Sequence, residues 1–263
     1  MVELSTVDLV IAATLVLLLA LLSLRLHTNI SQQLIVAAIR TAVQLTLIGL
    51  VLKVLFANAS LGWVMLLSTV MLLVAGREVM ARQERRFTGW WGYAVGTFSM
   101  FLSSFAVTVF ALVVILGEDP WYTPQYAIPL LGMLLGNTMN GIAIAMDRLT
   151  HTAWEQRGII EARLMLGERW DAAISEYKRQ AIRSGLIPII NAMAAAGIVS
   201  LPGMMTGQIL AGAPPVEAVK YQILIMFLIS AGTGLGTLAA VSIGARHLFD
   251  ERQRLCLDRL RQP

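Results

Sequence analysis

The stretch Val7-Asp8-Leu9-Val10-Ile11-Ala12-Ala13-Thr14-Leu15-Val16-Leu17-Leu18-Leu19-Ala20-Leu21-Leu22-Ser23-Leu24 carries a single charge, Asp8. An α-helix of about 20 residues, rising 1.5 Å per residue, crosses a hydrocarbon core about 30 Å thick. Six further blocks of the same character follow, at approximately 34–56, 61–76, 95–116, 128–146, 186–201 and 219–241. The third and sixth are short and need their flanks, or local thinning of the bilayer, to span. Of the 263 residues 57% are hydrophobic and 14% charged, against roughly 25% charged in a soluble domain. The solvent of this chain is lipid. The expected fold is all-α: one polytopic domain over residues 1–263 with about seven transmembrane helices.

The basic residues set the orientation. Arg25 follows the first block. Arg77, Arg82, Arg85 and Arg86 follow the third, and Arg148, Arg157, Arg163, Arg169, Lys178, Arg179 and Arg183 the fifth. Arg246, Arg252, Arg254, Arg259 and Arg261 follow the seventh. These alternate connections hold 17 of the 20 Lys and Arg, while the others hold Lys53, Glu118, Asp119, Glu217 and Lys220. Basic residues stay on the cytoplasmic side, so the expected topology has the N-terminus outside and the C-terminus inside, in the cell (inner) membrane. The net charge of +4 has the same origin and does not indicate nucleic acid. The start, with Glu3 and Asp8 and no basic residue, lacks the pattern of a cleaved signal, so the first block is expected to remain as an anchor. The one cysteine, Cys256, excludes an internal disulfide and reads as a surface thiol.

The long polar connection, about 147–184, is where function is sought in a chain so poor in loops. Within it Ala162, Met165 and Leu166 recur at i, i+3 and i+4 and make an apolar face one turn long, flanked by Glu161 and Arg163. Gly167 permits a sharp turn. Ala172, Ala173, Ile174, Tyr177, Ala181 and Ile182 form a second amphipathic stretch leading to the next crossing. A short amphipathic helix either lies on the bilayer surface or fits a groove on a cytoplasmic partner.

Two resemblances bear on that choice. Glu161-Ala162 with Gly167, followed by Leu186-Ile187-Pro188, resembles the EAA loop of ABC-transporter permeases, with Arg163 replacing the second alanine and a longer interval before the proline. That likeness implies that Glu161, Ala162, Arg163 and Gly167 couple the chain to an ATPase. Val199-Ser200-Leu201-Pro202-Gly203-Met204-Met205-Thr206-Gly207-Gln208-Ile209-Leu210-Ala211-Gly212, and Gly132-Met133-Leu134-Leu135-Gly136-Asn137, are similar to the FetB family of bacterial iron-export permeases and to plant aluminium-tolerance permeases. The likeness implies a permease that exports iron or another metal with a separate FetA-type ATPase; plant members point instead to an organic cargo such as a sugar nucleotide. The chain has no G-x-x-x-x-G-K-[ST] loop, so ATP is expected on the partner subunit and no cofactor on this chain. Seven helices are few for a transport path, so a homodimer with two ATPases is expected.

The candidate path or gate residues are Asn137, Asn140, Pro202, Gly203, Met204, Met205, Ser230 and Thr233. Leu201-Pro202-Gly203 is expected to end the sixth helix, because Pro202 lacks an N–H and Gly203 eases a turn. Residues 204–212 then either dip back into the membrane or form an outer turn. Asn137 and Asn140, and Ser230, Thr233, Gly234 and Thr237, either pack helices together or line the path. Arg40, inside the second block, either snorkels to the cytoplasmic surface or faces the path. His27, His151 and His247 show no ligand spacing, and the thirteen Met residues serve as gap-fillers or soft ligands, so the metal ligands are unknown from sequence. H-E-x-x-H, G-x-S-x-G and paired acids within the spans are all missing, which argues against an enzyme.

Overall fold

A computed structural model describes residues 5–26, 30–57 and 60–261. Residues 1–4, including Glu3, and His27 lie outside them. Among the described residues the chain is helical, with isolated bridges in place of strands. Six helices are long and apolar enough to cross a membrane.

The chain divides into two units, residues 1–60 and 61–263. The first is a pair of packed helices, α1 (Thr6–Arg25) and α2 (Ser31–Ala57). Ser5 opens α1 with a capping box, in which its hydroxyl accepts from the Asp8 N–H and the Asp8 carboxylate accepts from the Ser5 N–H. Most of the leucines and valines of both helices stay exposed, while Ala20, Ser23, Ser31 and Leu55 are buried, as suits helices with a broad lipid-facing surface.

The second unit contains α3 (Leu61–Ala81), α4 (Trp91–Leu116), α5 (Pro124–Glu155), α6 (Arg157–Met165), α7 (Trp170–Ala173), α8 (Ser175–Ala195), α9 (Gly203–Leu210) and α10 (Pro215–His247). Two π-helical segments, Phe101–Phe105 and Ala111–Leu116, interrupt α4.

Small residues set the packing. A Cβ placed on Gly232 would meet Leu134 at 2.9 Å, one on Gly236 would meet Thr138 at 2.6 Å, and one on Gly244 would meet Met146 at 2.7 Å. Both numbers in each pair rise together, so α5 and α10 run parallel. Arg82 on Asn140 and the Glu84 amide on Asp147 make α3 parallel to α5 as well. In contrast, Ser103 lies against Gly236 and Trp91 stacks on His247, so α4 runs the other way.

Two parallel spanning helices need a return crossing between them, and α8 provides it. Gly185 lies beside Gly141 and Thr237, whereas Met193 and Gln222 share a pocket further along. This helix is absent from the six apolar spans because its first half carries Glu176, Lys178, Arg179 and Arg183. It coincides in part with the apolar block expected at 186–201, as a helix antiparallel to α5 and α10. All the basic connections of this unit fall at one end of its helices, leaving only Lys220 at the other.

Two expected boundaries move. The fifth block continues unbroken through Asp147 to Glu155, giving α5 32 residues, or about 48 Å at 1.5 Å per residue. Its last turns therefore extend past a hydrocarbon core about 30 Å thick. The sixth helix ends at Ala195, ahead of Leu201-Pro202-Gly203. Gly197, at φ +82°, makes the turn that an L side chain resists, and Pro202 instead stands just ahead of the first residue of α9.

Candidate functional site

At the basic end of the second unit, a cleft of about 760 Å³ lies between α5, α8 and the α3–α4 connection. Its floor is Ala143, Ile144, Ile187 and Pro188, and its rim is Arg82, Glu84, Asp147, Arg148, His151 and Arg183. Arg82 Nη1 donates to Asn140 Oδ1 at 2.9 Å, and the Glu84 N–H donates to Asp147 Oδ1 at 2.8 Å. His151 stands between two carboxylates, 3.2 Å from Glu155 and 4.0 Å from Glu84. Arg85 lies 4.5 Å over the Trp154 ring, which ties the connection to the end of α5. The result is a mouth of mixed charge at its rim, with apolar helix residues on its floor.

Asn140 therefore belongs to this mouth. Asn137, one turn away and exposed, donates instead to the Met133 carbonyl at 2.8 Å. Sequence reasoning placed Arg82 only in a basic loop; its partner is 58 residues distant, and only the parallel packing of α3 and α5 joins them.

Thr233 is 1% exposed, and its methyl would lie 2.7 Å from a Cβ on Gly141, so it sits in the tight contact between α5 and α10. Ser230 is half-buried on the same helix. At the opposite end Pro202 and Met205 line a pocket of about 500 Å³ with Met193, Met226 and Gln222. Gly203 is exposed and Met204 half-buried on α9. Eight residues of helix extend only about 12 Å, so α9 cannot cross a membrane by itself.

The segment read as ATPase-coupling forms α6 and the turn after it. Ile160 is fully buried and anchors the helix. Arg163 reaches Glu176 of α8 at 3.9 Å, while Glu161 and Ala162 face outward. Gly167 has φ +93° and open space around it, so the glycine is needed for its backbone conformation. Immediately before it, Met165 is 83% exposed and Leu166 85%. Behind this tip Ala173, Ile174, Tyr177 and Ala181 are buried, as the second amphipathic stretch requires. A second cleft, of about 690 Å³, separates Glu161, Met165, Gly167 and Arg169 from Arg252, Gln253 and Arg254.

His151 and His247 are far apart in role as well as sequence. His247 stacks on Trp91 at 4.1 Å and meets Phe87 edge-on at 5.2 Å. Among the described residues no three His, Cys, Asp or Glu side chains gather as a metal site.

Residues 6–249 match the model of the uncharacterised protein family UPF0014. The chain belongs to this family. It is 41% identical over 231 residues to a UPF0014 membrane protein of Synechocystis, covering 86% of this chain and 87% of the relative. It is 32% identical over 231 residues to the Arabidopsis thaliana protein named ALUMINUM SENSITIVE 3, covering 88% and 81%. The Escherichia coli protein named "Probable iron export permease protein FetB" is 31% identical over 230 residues, covering 85% and 84%. No solved structure matches the chain. Family membership and the apolar spans together make this UPF0014 chain a multi-pass membrane protein.

Proposed function

We propose that the chain is the membrane permease subunit of an ABC transporter, working as a homodimer with a separate cytoplasmic ATPase and exporting iron. The observation that carries the coupling is the tip of α6. Met165 and Leu166 are almost fully exposed beside a glycine held at positive φ, at the basic end of the helices. Two neighbouring large apolar side chains in water oppose the hydrophobic effect by about 1.5–3 kcal/mol each. A groove on the ATPase would recover that free energy. The cargo rests on the name given to the E. coli relative.

Positive charge at the ends of α3, α5 and α10 supports a cytoplasmic placement of that tip. With seven crossings the N-terminus lies outside. Iron enters at the mouth held by Arg82, Asn140 and Asp147, and closure of the ATPase dimer pulls α6 and α8 to open the path outward. No resident metal site is required, because a transported ion needs only weak oxygen ligands such as Asn140 Oδ1, Asp147 and Glu84.

The test uses the permease co-expressed with an ABC ATPase from the same genome. Met165→Glu and Leu166→Glu should abolish co-purification of the ATPase and its stimulation, yet leave the permease's own melting unchanged. Gly167→Val should retain binding poorly and export little. Cellular iron should rise when the gene is removed. Full export without the ATPase, or full coupling in the glutamate variants, would overturn the reading; unaltered iron alongside an accumulated sugar nucleotide would replace the cargo.

A further inference from the structure

The segment after α10, residues 249–261, folds back as a hook. Phe249 pairs with Leu255 in an antiparallel bridge, and the Cys256 N–H donates to the Leu248 carbonyl at 2.8 Å. The Asp250 carboxylate closes the turn by accepting from the Arg254 N–H and from Arg254 Nε, each at 2.8 Å. Phe249 and Leu260 are 3% exposed and Leu248 is fully buried, so the hook is seated in the core.

From that seat it reaches two other parts of the unit. Towards the α3–α4 connection, the Thr88 N–H donates to the Arg259 carbonyl and the Arg261 N–H to the Arg86 carbonyl, each at 2.8 Å, beside a Phe87–Leu260 bridge. Towards the coupling turn, Gln253 Oε1 accepts from the Trp170 N–H at 3.1 Å. Gln253 itself stands at φ +60°, a conformation costing a non-glycine residue about 1–3 kcal/mol unless its surroundings enforce it. Trp170 is further held between Arg246, 5.1 Å from its ring, and Phe249, at 5.7 Å.

Trp170 is three residues beyond Gly167. The hinge is thus fastened on its far side by a side chain from the hook that follows α10, across 83 residues of sequence. We propose that the hook is the brace of the coupling hinge. It fixes the position of Gly167 to Trp170, so that a pull on α6 moves α10 and the α3–α4 connection together with α8. Gln253 is the positioning residue, and the cleft between α6 and Arg252–Arg254 has the hook as its second wall.

This inference rests on α6 being the seat of the ATPase, and the test separates the two. Gln253→Leu removes the acceptor, whereas Gln253→Glu keeps an oxygen in the same place. Both variants are made in the full permease–ATPase complex and reconstituted in liposomes loaded for ferrous iron export. In Gln253→Leu the ATPase should still co-elute, while ATP hydrolysed per iron exported rises about fivefold, the equilibrium factor of one net hydrogen bond. The Trp170 amide should exchange its hydrogen faster by a similar factor. Gln253→Glu should stay within about twofold of the parent on both readouts.

A Gln253→Leu complex that couples and exchanges like the parent would overturn the brace and leave the seat standing. Equal failure of Gln253→Glu would refute the acceptor role. If the parent chain itself binds no ATPase, the seat fails and the brace with it.

Discussion

Gly185→Ala is the sharpest test of the packing. The new methyl would lie 2.5 Å from the Gly141 carbonyl oxygen, 2.8 Å from Ala145 Cβ and 3.1 Å from Thr237 Cγ2. Carbon atoms are at rest near 3.5 Å, so α8 must move away by about 0.7 Å. Neither the carbonyl nor the Ala145 methyl can rotate aside. Overpacking of this kind costs about 1–3 kcal/mol, and with two contacts under 3.0 Å the upper half applies. Alanine recovers about 1 kcal/mol of helix propensity, leaving a net loss of about 1–2 kcal/mol. At about 2–4 °C per kcal/mol for a domain of this size, Tm should fall by about 2–8 °C. Gly234→Ala is the control, since a Cβ there meets nothing within 4 Å; it should raise Tm by about 2–4 °C. Thermal unfolding of the purified protein in detergent, followed by tryptophan fluorescence, measures both. A Gly185→Ala protein that melts at or above the parent, or two variants that shift in the same direction, would refute the interlock of α5, α8 and α10.

The lone thiol of Cys256, partly exposed on the hook, reports orientation. A membrane-impermeant maleimide should label it in inside-out vesicles and leave it unlabelled in intact cells, and the reverse pattern would invert the topology. The Arg254 N–H beside Asp250, together with the Arg254 guanidinium, holds the Asp250 carboxyl below its usual range. A depressed folded pKa stabilises above the unfolded value of about 3.9 and is lost as pH falls through the folded one. The Asp250–Arg254 turn should therefore be indifferent to the Asp250 titration from about pH 5 to 8 and loosen only below about 4. Hydrogen exchange at the Arg254 amide measures this. Asp250→Asn should speed exchange at pH 6, and equal rates in variant and parent would show that the carboxylate does not close the turn.

The apolar blocks were legible because lipid requires about 20 uninterrupted apolar residues and leaves little freedom in their composition. The tip of α6 was legible for a related reason. Three apolar residues at i, i+3 and i+4 before a glycine are visible in any register, and Met165 and Leu166 do stand out in water. Pairings across the fold were not. Nothing local in Arg82 selects Asn140, and nothing in Gln253 selects Trp170, because each contact exists only once helices distant in sequence lie side by side.

The crossing made by α8 lies between these cases. Its polar first half, with Glu176, Lys178, Arg179 and Arg183, lowers the hydropathy that marks a span. The Gly141–Gly185 contact supplies what hydropathy lacks. Side chains there would hold the helices apart, whereas two glycines let α8 approach α5 and α10 closely at Gly185, with Ile189 buried one turn on while Ile187, Ile190 and Met193 stay exposed. Its charged half is then free to line the mouth with Arg183 and to receive Arg163 of α6 on Glu176. The same close contact that seats α8 against α5 and α10 thus leaves its polar half available to the cleft and to α6.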